Sequence, residues 1–251
     1  MDSLQHVPNG RWKFDEAVGE CFDDMVKRSI PLYAQTLDLI GRLAARHTDA
    51  AGEITVVDIG CSNGQALASV LDTLRSQRNV TTIKAMGIDE QEHMLKRAKA
   101  RLPESVDLVQ HDLRNGLPLA AGGIERKIGR GASKPEVMLM LWTSTFIPLE
   151  YRAQLFRDAR AMIGPRGALF VADKLRGQTA AFQTALASEY ANWKHSMGYS
   201  PSMIDAKARA LEGVLVPMNA PEQKALISNE GWNVEEVTRY LGFASWYCLP
   251  R

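Results

Sequence analysis

The segment "VVDIGCSNGQ" at residues 56–65 joins the end of a predicted strand to the start of a predicted helix. Its β-branched residues end at Ile59, and Gly60, Ser62 and Gly64 then form a tight turn. Glycines in such a turn let the backbone approach a ligand, and the N–H groups at a helix start favour an anion. Because Gly60 and Gly64 are four residues apart, the segment departs from G-x-G-x-x-G, and we expect a carboxylate site rather than a pyrophosphate site.

Acidic residues follow the next two predicted strands. Asp89 ends "AMGIDE", where a carboxylate can accept hydrogen bonds from both ribose hydroxyls of a nucleoside. Asp112 ends "VQHDL", where it can accept from an adenine amino group. Each carboxylate alone is a weak signal, since Asp also caps helices. Together with the glycine turn, these strand ends predict a site for an adenosine with a small charged tail.

The elements that position these residues alternate between strands and helices. Strands are expected over 53–60, 83–90, 106–113, 136–142 and 168–175, and helices over 63–77, 92–102 and 148–163. Before them, residues 14–46 have helical periodicity that Pro31 should interrupt. After them we expect helices over 178–196 and 201–211, a helix beginning near Pro221, and two strands that meet near Gly242. This order predicts an α/β fold with a mostly parallel sheet of seven strands and helices on both faces.

Composition limits the remaining classes of function. The chain has 251 residues and a formal net charge of +1, so charge gives no indication of nucleic-acid or membrane binding. Its three cysteines are widely spaced and form no CxxC pair, and no metal site is predicted. We expect a flexible arm over 1–13, one domain over 14–251 and a surface loop over 119–135. The N-terminus has no secretory signature, which favours a cytoplasmic protein.

The chain resembles class I S-adenosylmethionine (SAM)-dependent methyltransferases, and within them the carboxy-SAM synthases. The resemblance is carried by "FDEAVGECFDDMVKRSIPLYAQTLDLIGRLA", "DIGCSNG", "GIDEQEHMLKRAKARL", "HDLRNGLPL" and "ALFVADKL…GYS", in this order, and covers residues 14–248. It implies a Rossmann-like fold with N-terminal helices and a helical cap inserted after strand five at about 176–215. It also implies a homodimer, a small-molecule substrate and SAM as methyl donor or substrate. The expected SAM-binding residues are Tyr33, Asp58, Gly60, Cys61, Ser62, Gly64, Asp89, Glu90, Asp112, Leu113 and Leu141.

Two positions differ from the pattern of that family. Where it has an Asn late in strand four, this chain has Leu141. Where it has an Arg for the extra carboxylate of its product, ungapped alignment from Gly198 places Ala208. Arg209 is the next residue, but one residue turns a side chain by about 100° around a helix. These two differences disfavour carboxy-SAM synthesis, unless another cation such as Arg209 or Lys174 replaces the arginine.

Four residues are candidates for the catalytic end of the site. Trp142 and Thr143 follow strand four, where an aromatic ring can face the sulfonium of SAM. Tyr190 and Tyr199 flank the helices after strand five and can wall a cap. Each aromatic residue can equally serve core packing.

Three reactions remain open from the sequence. Methyl transfer to a small metabolite is the default for the fold. Cyclisation of SAM to azetidine-2-carboxylate and methylthioadenosine needs no strong base, since an α-amino group has a pKa of about 8. Prephenate-dependent carboxy-SAM synthesis is the third. The fold by itself does not choose among them.

Overall fold

The computed structural model describes residues 6, 10–118 and 134–251, and the predicted loop over 119–135 lies almost entirely outside them. Within these described residues, seven strands form one sheet in the order β3-β2-β1-β4-β5-β7-β6. They are β1 Glu53–Ile59, β2 Thr82–Asp89, β3 Val106–Gln110, β4 Val137–Leu141, β5 Ala168–Lys174, β6 Trp232–Tyr240 and β7 Phe243–Pro250. Strands β1 to β5 are parallel, and β7 runs antiparallel to both β5 and β6. The prediction of a mostly parallel sheet of seven strands is confirmed.

Helices cover both faces of this sheet. In chain order they are α1 Glu16–Ser29, α2 Tyr33–Ala44, α3 Gln65–Arg75, α4 Glu92–Arg101, α5 Leu149–Met162, α6 Ala180–Ser196, α7 Pro201–Leu211 and α8 Ala220–Asn229. Pro31 does separate two helices, since the chain between α1 and α2 includes Leu32 at a left-handed φ of 58°. Helix α8 has the expected Pro221 in its first turn and a capping box between Asn219 and Glu222.

The core has one apolar layer on each face of the sheet. Side chains of β1 alternate between the layers: Ile54 and Val56 join the cluster that contacts α2 and α3, and Val57 and Ile59 join the cluster that contacts α5. Burial on both faces agrees with the β-branched residues Ile54–Val57 and Ile59 of β1, and it also buries Asp58.

Helices α6 and α7 follow β5 in the chain. Most of α6 is exposed, whereas its residues Tyr190 and Lys194 are turned inwards. Helix α7 starts at Pro201 with Ser200 as its N-cap, and its Lys207 and Ala210 are buried. These two helices form the predicted cap segment.

The end of the predicted arm is packed against the cap. Trp12 is buried, and its backbone N–H donates to the carbonyl of Ala210 in α7 at 2.8 Å. Its ring contacts Phe14, which in turn contacts Phe146. Burying an indole and pairing its backbone fix the chain at Trp12. The flexible arm over 1–13 as a whole stays a prediction. Among the described helices, none is long and apolar enough to cross a membrane.

Candidate functional site

A cavity of about 260 Å³ lies at the carboxyl edge of the parallel strands and extends beneath the cap. Its walls come from the turn after β1, the ends of β2, β4 and β5, and helices α1, α6 and α7. This is the edge at which ligands bind in open α/β sheets, because the loops that follow parallel strands meet there.

The glycine turn forms one wall of the cavity. Gly60 has a φ of +81°, and a Cβ at this position would lie 2.4 Å from the side chain of Thr143. The backbone N–H groups of Gly60 and Cys61 both donate to the carbonyl of Ile88 at the end of β2. The turn is thus fixed to the neighbouring strand, and only glycine fits at residue 60.

Asp89 connects the glycine turn to the end of β2. Its two carboxylate oxygens accept from the backbone N–H groups of Ser62 and Gln91, each at 2.9 Å. Burial raises the pKa of Asp89, and these two hydrogen bonds oppose the rise. Asp89 and its neighbour Glu90 both line the cavity. A partly buried carboxylate fixed at a cavity of this kind is suited to accept hydrogen bonds from hydroxyl groups.

Polar atoms without partners surround the start of α3. Within the described part of the chain, the Oγ of Ser62 and the Oε1 of Gln65 are buried without a hydrogen-bond partner, and both residues line the cavity. Asp58 is buried behind the turn, where burial and the nearby Asp89 carboxylate raise its pKa to about 8. Burial likewise raises the pKa of the Cys61 thiol. Acceptors left unpaired at this point suit a ligand that brings hydrogen-bond donors.

Aromatic rings face each other where β4 ends. Trp142 has a φ of +56°, a conformation that costs a non-glycine residue about 1–3 kcal/mol and that clusters at functional sites. Its ring centre lies 4.8 Å from that of Tyr33 at the start of α2. Leu141 and Thr143 flank it, and all four residues line the cavity. This wall is apolar and π-rich, as expected for a surface that faces a sulfonium cation.

Three lysines line the part of the cavity beneath the cap: Lys174 at the end of β5, Lys194 in α6 and Lys207 in α7. The Nζ of Lys207 donates to the Oη of Tyr199 at 3.1 Å. The Nζ of Lys174 lies 4.5 Å from the ring centre of Tyr190, and that of Lys194 lies 4.6 Å from the ring centre of Tyr199. Each of the three ammonium groups therefore makes a cation–π contact with a tyrosine ring.

Among the described residues, no carboxylate contributes to the pKa shift of Lys174 or Lys194. Burial lowers the pKa of Lys174 to about 8. Burial and repulsion from Lys207 and Lys174 lower the pKa of Lys194 to about 7. Buried cations without a counter-charge are costly, so this end of the cavity favours an anionic ligand.

The structure brings together most of the expected site residues. Those that line the cavity are Tyr33, Gly60, Cys61, Ser62, Asp89, Glu90, Leu113, Leu141, Trp142, Thr143 and Tyr190. Four expected residues do not line it: Asp58, Gly64, Asp112 and Tyr199.

Each of these four has a structural position instead. Asp58 lies behind the turn, and Gly64 begins α3 with a φ of +75°. Asp112 caps a short 3-10 turn, and its carboxylate accepts from the Arg114 guanidinium, which lowers its pKa. The Oη of Tyr199 accepts a hydrogen bond from the Nζ of Lys207 and also forms one with the Oγ of Ser29 at 3.2 Å. Tyr199 lies outside the cavity lining and holds Lys207, so the structure gives it a positioning contact, while its catalytic role stays a prediction.

Of the two cations suggested as replacements for the arginine, Lys174 lines the cavity and Arg209 does not. Ala208 and Arg209 are both exposed on α7 and do not line the cavity, whereas Lys207 is buried and does. A spacing of four residues would have indicated this face, because Lys207, Leu211 and Leu215 all line the cavity.

Other residues that line the cavity were not predicted from the sequence. Lys194 lies four residues after Tyr190 on the same face of α6, a spacing that could have identified it. Trp12, Ser29 and Gln65 also line the cavity, but no local pattern in the sequence distinguishes them.

Comparison with known proteins assigns this architecture to a family. The chain is 31% identical over 239 residues to the carboxy-S-adenosyl-L-methionine synthase of Wolinella succinogenes, covering 94% of this chain and 92% of that protein. The chain belongs to the carboxy-SAM synthase family. It is also 28% identical over 246 residues to the synthase of Escherichia coli, covering 94% and 91% of the two chains. No protein-family model matches the chain.

Solved structures share the fold with this carboxy-SAM synthase family member. An O-methyltransferase family protein from Burkholderia thailandensis superposes with a TM-score of 0.61 at 18% identity over 94% of this chain. CalO1, a methyltransferase in calicheamicin biosynthesis with SAH bound, superposes with a TM-score of 0.54 at 15% identity over 95% of this chain. The chain spans about 60% of the length of these two proteins.

The predicted Rossmann-like class I methyltransferase fold is confirmed by these likenesses. The protein is a SAM-dependent enzyme of that superfamily.

Proposed function

We propose that this enzyme joins SAM chemistry to a carboxylate-bearing second substrate, as in carboxy-SAM synthesis. The observation that carries the proposal is the group of Lys174, Lys194 and Lys207, which lines the same cavity as the glycine turn. The enzyme's relatives are named carboxy-SAM synthases, whose product carries one carboxylate more than SAM.

The half of the cavity at the strand ends fits SAM. Gly60 lines the cavity, and beside it Ser62 and Gln65 offer unpaired buried acceptors for an α-ammonium group. Asp89 and Glu90 would accept from the ribose hydroxyls, and Leu113 would contact the adenine. Asp112 would reach the adenine only by sharing its carboxylate with Arg114. Bound SAM supplies an electrophilic carbon next to its sulfonium.

The half of the cavity beneath the cap fits the second substrate. Ammonium groups form their strongest hydrogen bonds with carboxylates, and a buried site makes the attraction stronger than in water. Apolar side chains of Phe14, Phe22 and Leu211 line the remaining surface, which suits a ring-bearing acid such as prephenate. In this proposal the lysine ammonium groups bind the carboxylate that the family binds with an arginine, the residue replaced here by Ala208.

Methyl transfer to a small metabolite, the default from the sequence, keeps the same SAM half. In that case the lysines would bind an acceptor that itself carries a carboxylate.

The apolar wall formed by Leu141, where the family has an Asn, favours the cyclisation of SAM to azetidine-2-carboxylate, because desolvation assists attack of the α-amine. The three reactions differ in product, so one assay separates them.

The test is incubation of the purified protein with SAM alone and with SAM plus prephenate, followed by mass spectrometry. A product heavier than SAM by the elements of carbon dioxide, formed only with prephenate, supports carboxy-SAM synthesis. Methylthioadenosine from SAM alone would contradict it in favour of cyclisation. S-adenosylhomocysteine that forms only with a carboxylate acceptor would contradict it in favour of methyl transfer.

The enzyme would act as a homodimer, as the family resemblance implies. The outward face of α6 supports this, because Ala181, Phe182 and Ala185 are exposed there and Phe182 is 62% exposed. Light scattering should give twice the monomer mass for the natural protein and the monomer mass for Phe182→Glu. A monomer in both samples would refute the dimer without affecting the SAM site.

A further inference from the structure

Lys194 is the middle member of the lysine group. It shares the ring of Tyr199 with Lys207, at 4.6 Å and 4.3 Å from the ring centre. It also shares the ring of Tyr190 with Lys174, at 5.7 Å and 4.5 Å. Lys194 therefore faces a second ammonium group on each side, and it is itself buried.

Repulsion of this kind is relieved when one of the groups loses its proton. The charged and titratable groups that face Lys194 are Lys174 from β5, Lys207 and Tyr199 from the α7 side, and Tyr190 from its own helix. None of these is an acid that would hold the proton on Lys194. The middle lysine loses its proton most readily, because it is repelled from both sides.

We propose that Lys194 is a nucleophilic amine that binds 2-oxo acids covalently as an imine, with Lys174 and Lys207 holding the carboxylate of the same ligand. The proposal rests on the anion site of the proposed function and names the class of ligand for that site. Lysines that lie next to another cation in an apolar pocket are activated in this way.

The step balances without any further reactant. The uncharged Nζ of Lys194 attacks the carbonyl carbon of the 2-oxo acid, and the amine proton moves to the former carbonyl oxygen. Loss of that oxygen as water leaves a C=N bond to the lysine. Hydrolysis by one water reverses the step and returns both partners.

The experiment is reductive trapping with sodium cyanoborohydride. The full-length protein is incubated with phenylpyruvate at pH 7.4, and peptide mass mapping then locates the reduced adduct. Phenyllactate, which has a hydroxyl in place of the carbonyl, is the matched ligand control. We expect adduct on Lys194 at a level at least about tenfold above any exposed lysine, because an ordinary lysine with a pKa near 10.4 is only about 0.1% uncharged at this pH.

Variants assign the adduct to this amine. Lys194→Met removes the amine at similar length and should abolish the selective adduct, whereas Lys224→Arg, at an exposed lysine of α8, should leave it unchanged. Calorimetry with SAM checks that each variant is folded. Trapping should rise with pH as Lys194 loses its proton, and mainly above pH 7, because a bound carboxylate raises the pKa of Lys194 above its ligand-free value of about 7.

Two results would overturn the proposal. Adduct spread evenly over exposed lysines would show that Lys194 has no special reactivity. Absence of adduct on Lys194, although phenyllactate binds by calorimetry, would leave the anion site intact and remove only the imine. Failure of the proposed function would instead appear as no binding of either acid.

Discussion

The Nζ of Lys207 lies 3.1 Å from the Oη of Tyr199 and 4.3 Å from the centre of the same ring. Tyr199 is fully buried, so its ring fixes the direction of the lysine side chain. The next residue, Ala208, is turned away from the cavity by the helical step of about 100°. Lys207, rather than the residue aligned with the family's arginine, is thus the cation that α7 presents to a ligand.

Replacing Lys207 should therefore weaken binding of the carboxylate substrate and spare SAM. For Lys207→Met we expect KM for that substrate to rise about 10- to 100-fold, since a hydrogen bond to a charged group contributes about 1.5–3 kcal/mol. Steady-state kinetics and SAM calorimetry measure the two effects. Arg209→Met, at an exposed position of the same helix, is the control. An equal rise in KM for both variants would refute the assignment.

Binding of a carboxylate should take up protons. Without ligand, the pKa of Lys194 is about 7 and that of Lys174 about 8, and a bound anion raises both because it stabilises the ammonium forms. Affinity should therefore be constant below about pH 7 and fall as the pH rises through 7 to 8.

Calorimetry with phenyllactate in buffers of different ionisation enthalpy measures that uptake directly. Phenyllactate cannot form an imine, so covalent chemistry does not enter the measurement. An affinity that stays constant from pH 6 to 9 would contradict an anion site built on these lysines.

Asp89 should carry much of the affinity for SAM. Asp89→Asn keeps the shape but removes an acceptor for the ribose and one for the N–H of Ser62 or Gln91. We expect SAM binding to weaken by about 1–3 kcal/mol, measured by calorimetry. Asp72→Asn, at an exposed acid of α3, should change it by less than about 0.5 kcal/mol. Unchanged affinity in Asp89→Asn would place the ribose elsewhere.

Gly60→Ala should abolish SAM binding and destabilise the fold. The new methyl group would meet the Thr143 side chain at 2.4 Å, and the φ of +81° would be strained. The comparison is Gly213→Ala, where φ is +66° but no atom lies within 4 Å of the added carbon. Both variants should lose about 1–2 kcal/mol through backbone strain, measured by denaturant unfolding. Loss of SAM binding should be confined to Gly60→Ala, and equal SAM affinity in the two variants would contradict a ligand at this turn.

The strand ends were predictable because their signals are local. Gly60 and Asp89 each lie at the end of a short apolar run, and parallel strands bring such ends to one edge. The helices of the cap were predicted from the sequence, but the cap residues that line the cavity, Lys194 and Lys207, were not. Lys194 and Lys207 are ordinary basic residues in the sequence, and only the packing of α6 against α7 turns them towards Lys174.

The N-terminal segment shows the same limit. Polar residues with Pro8 and Gly10 predict a flexible arm, yet Trp12 is buried against Ala210 about two hundred positions away. A contact of that sequence separation leaves no periodic signal near either residue.

The sequence by itself determined the α/β fold, the glycine turn and the acidic strand ends, because hydrophobic periodicity and glycine conformation act over a few residues. Only the tertiary structure decided which cation faces the ligand. The direction of a helical side chain depends on how the helix packs, and a single step along α7 separates the buried Lys207 from the exposed Ala208 and Arg209.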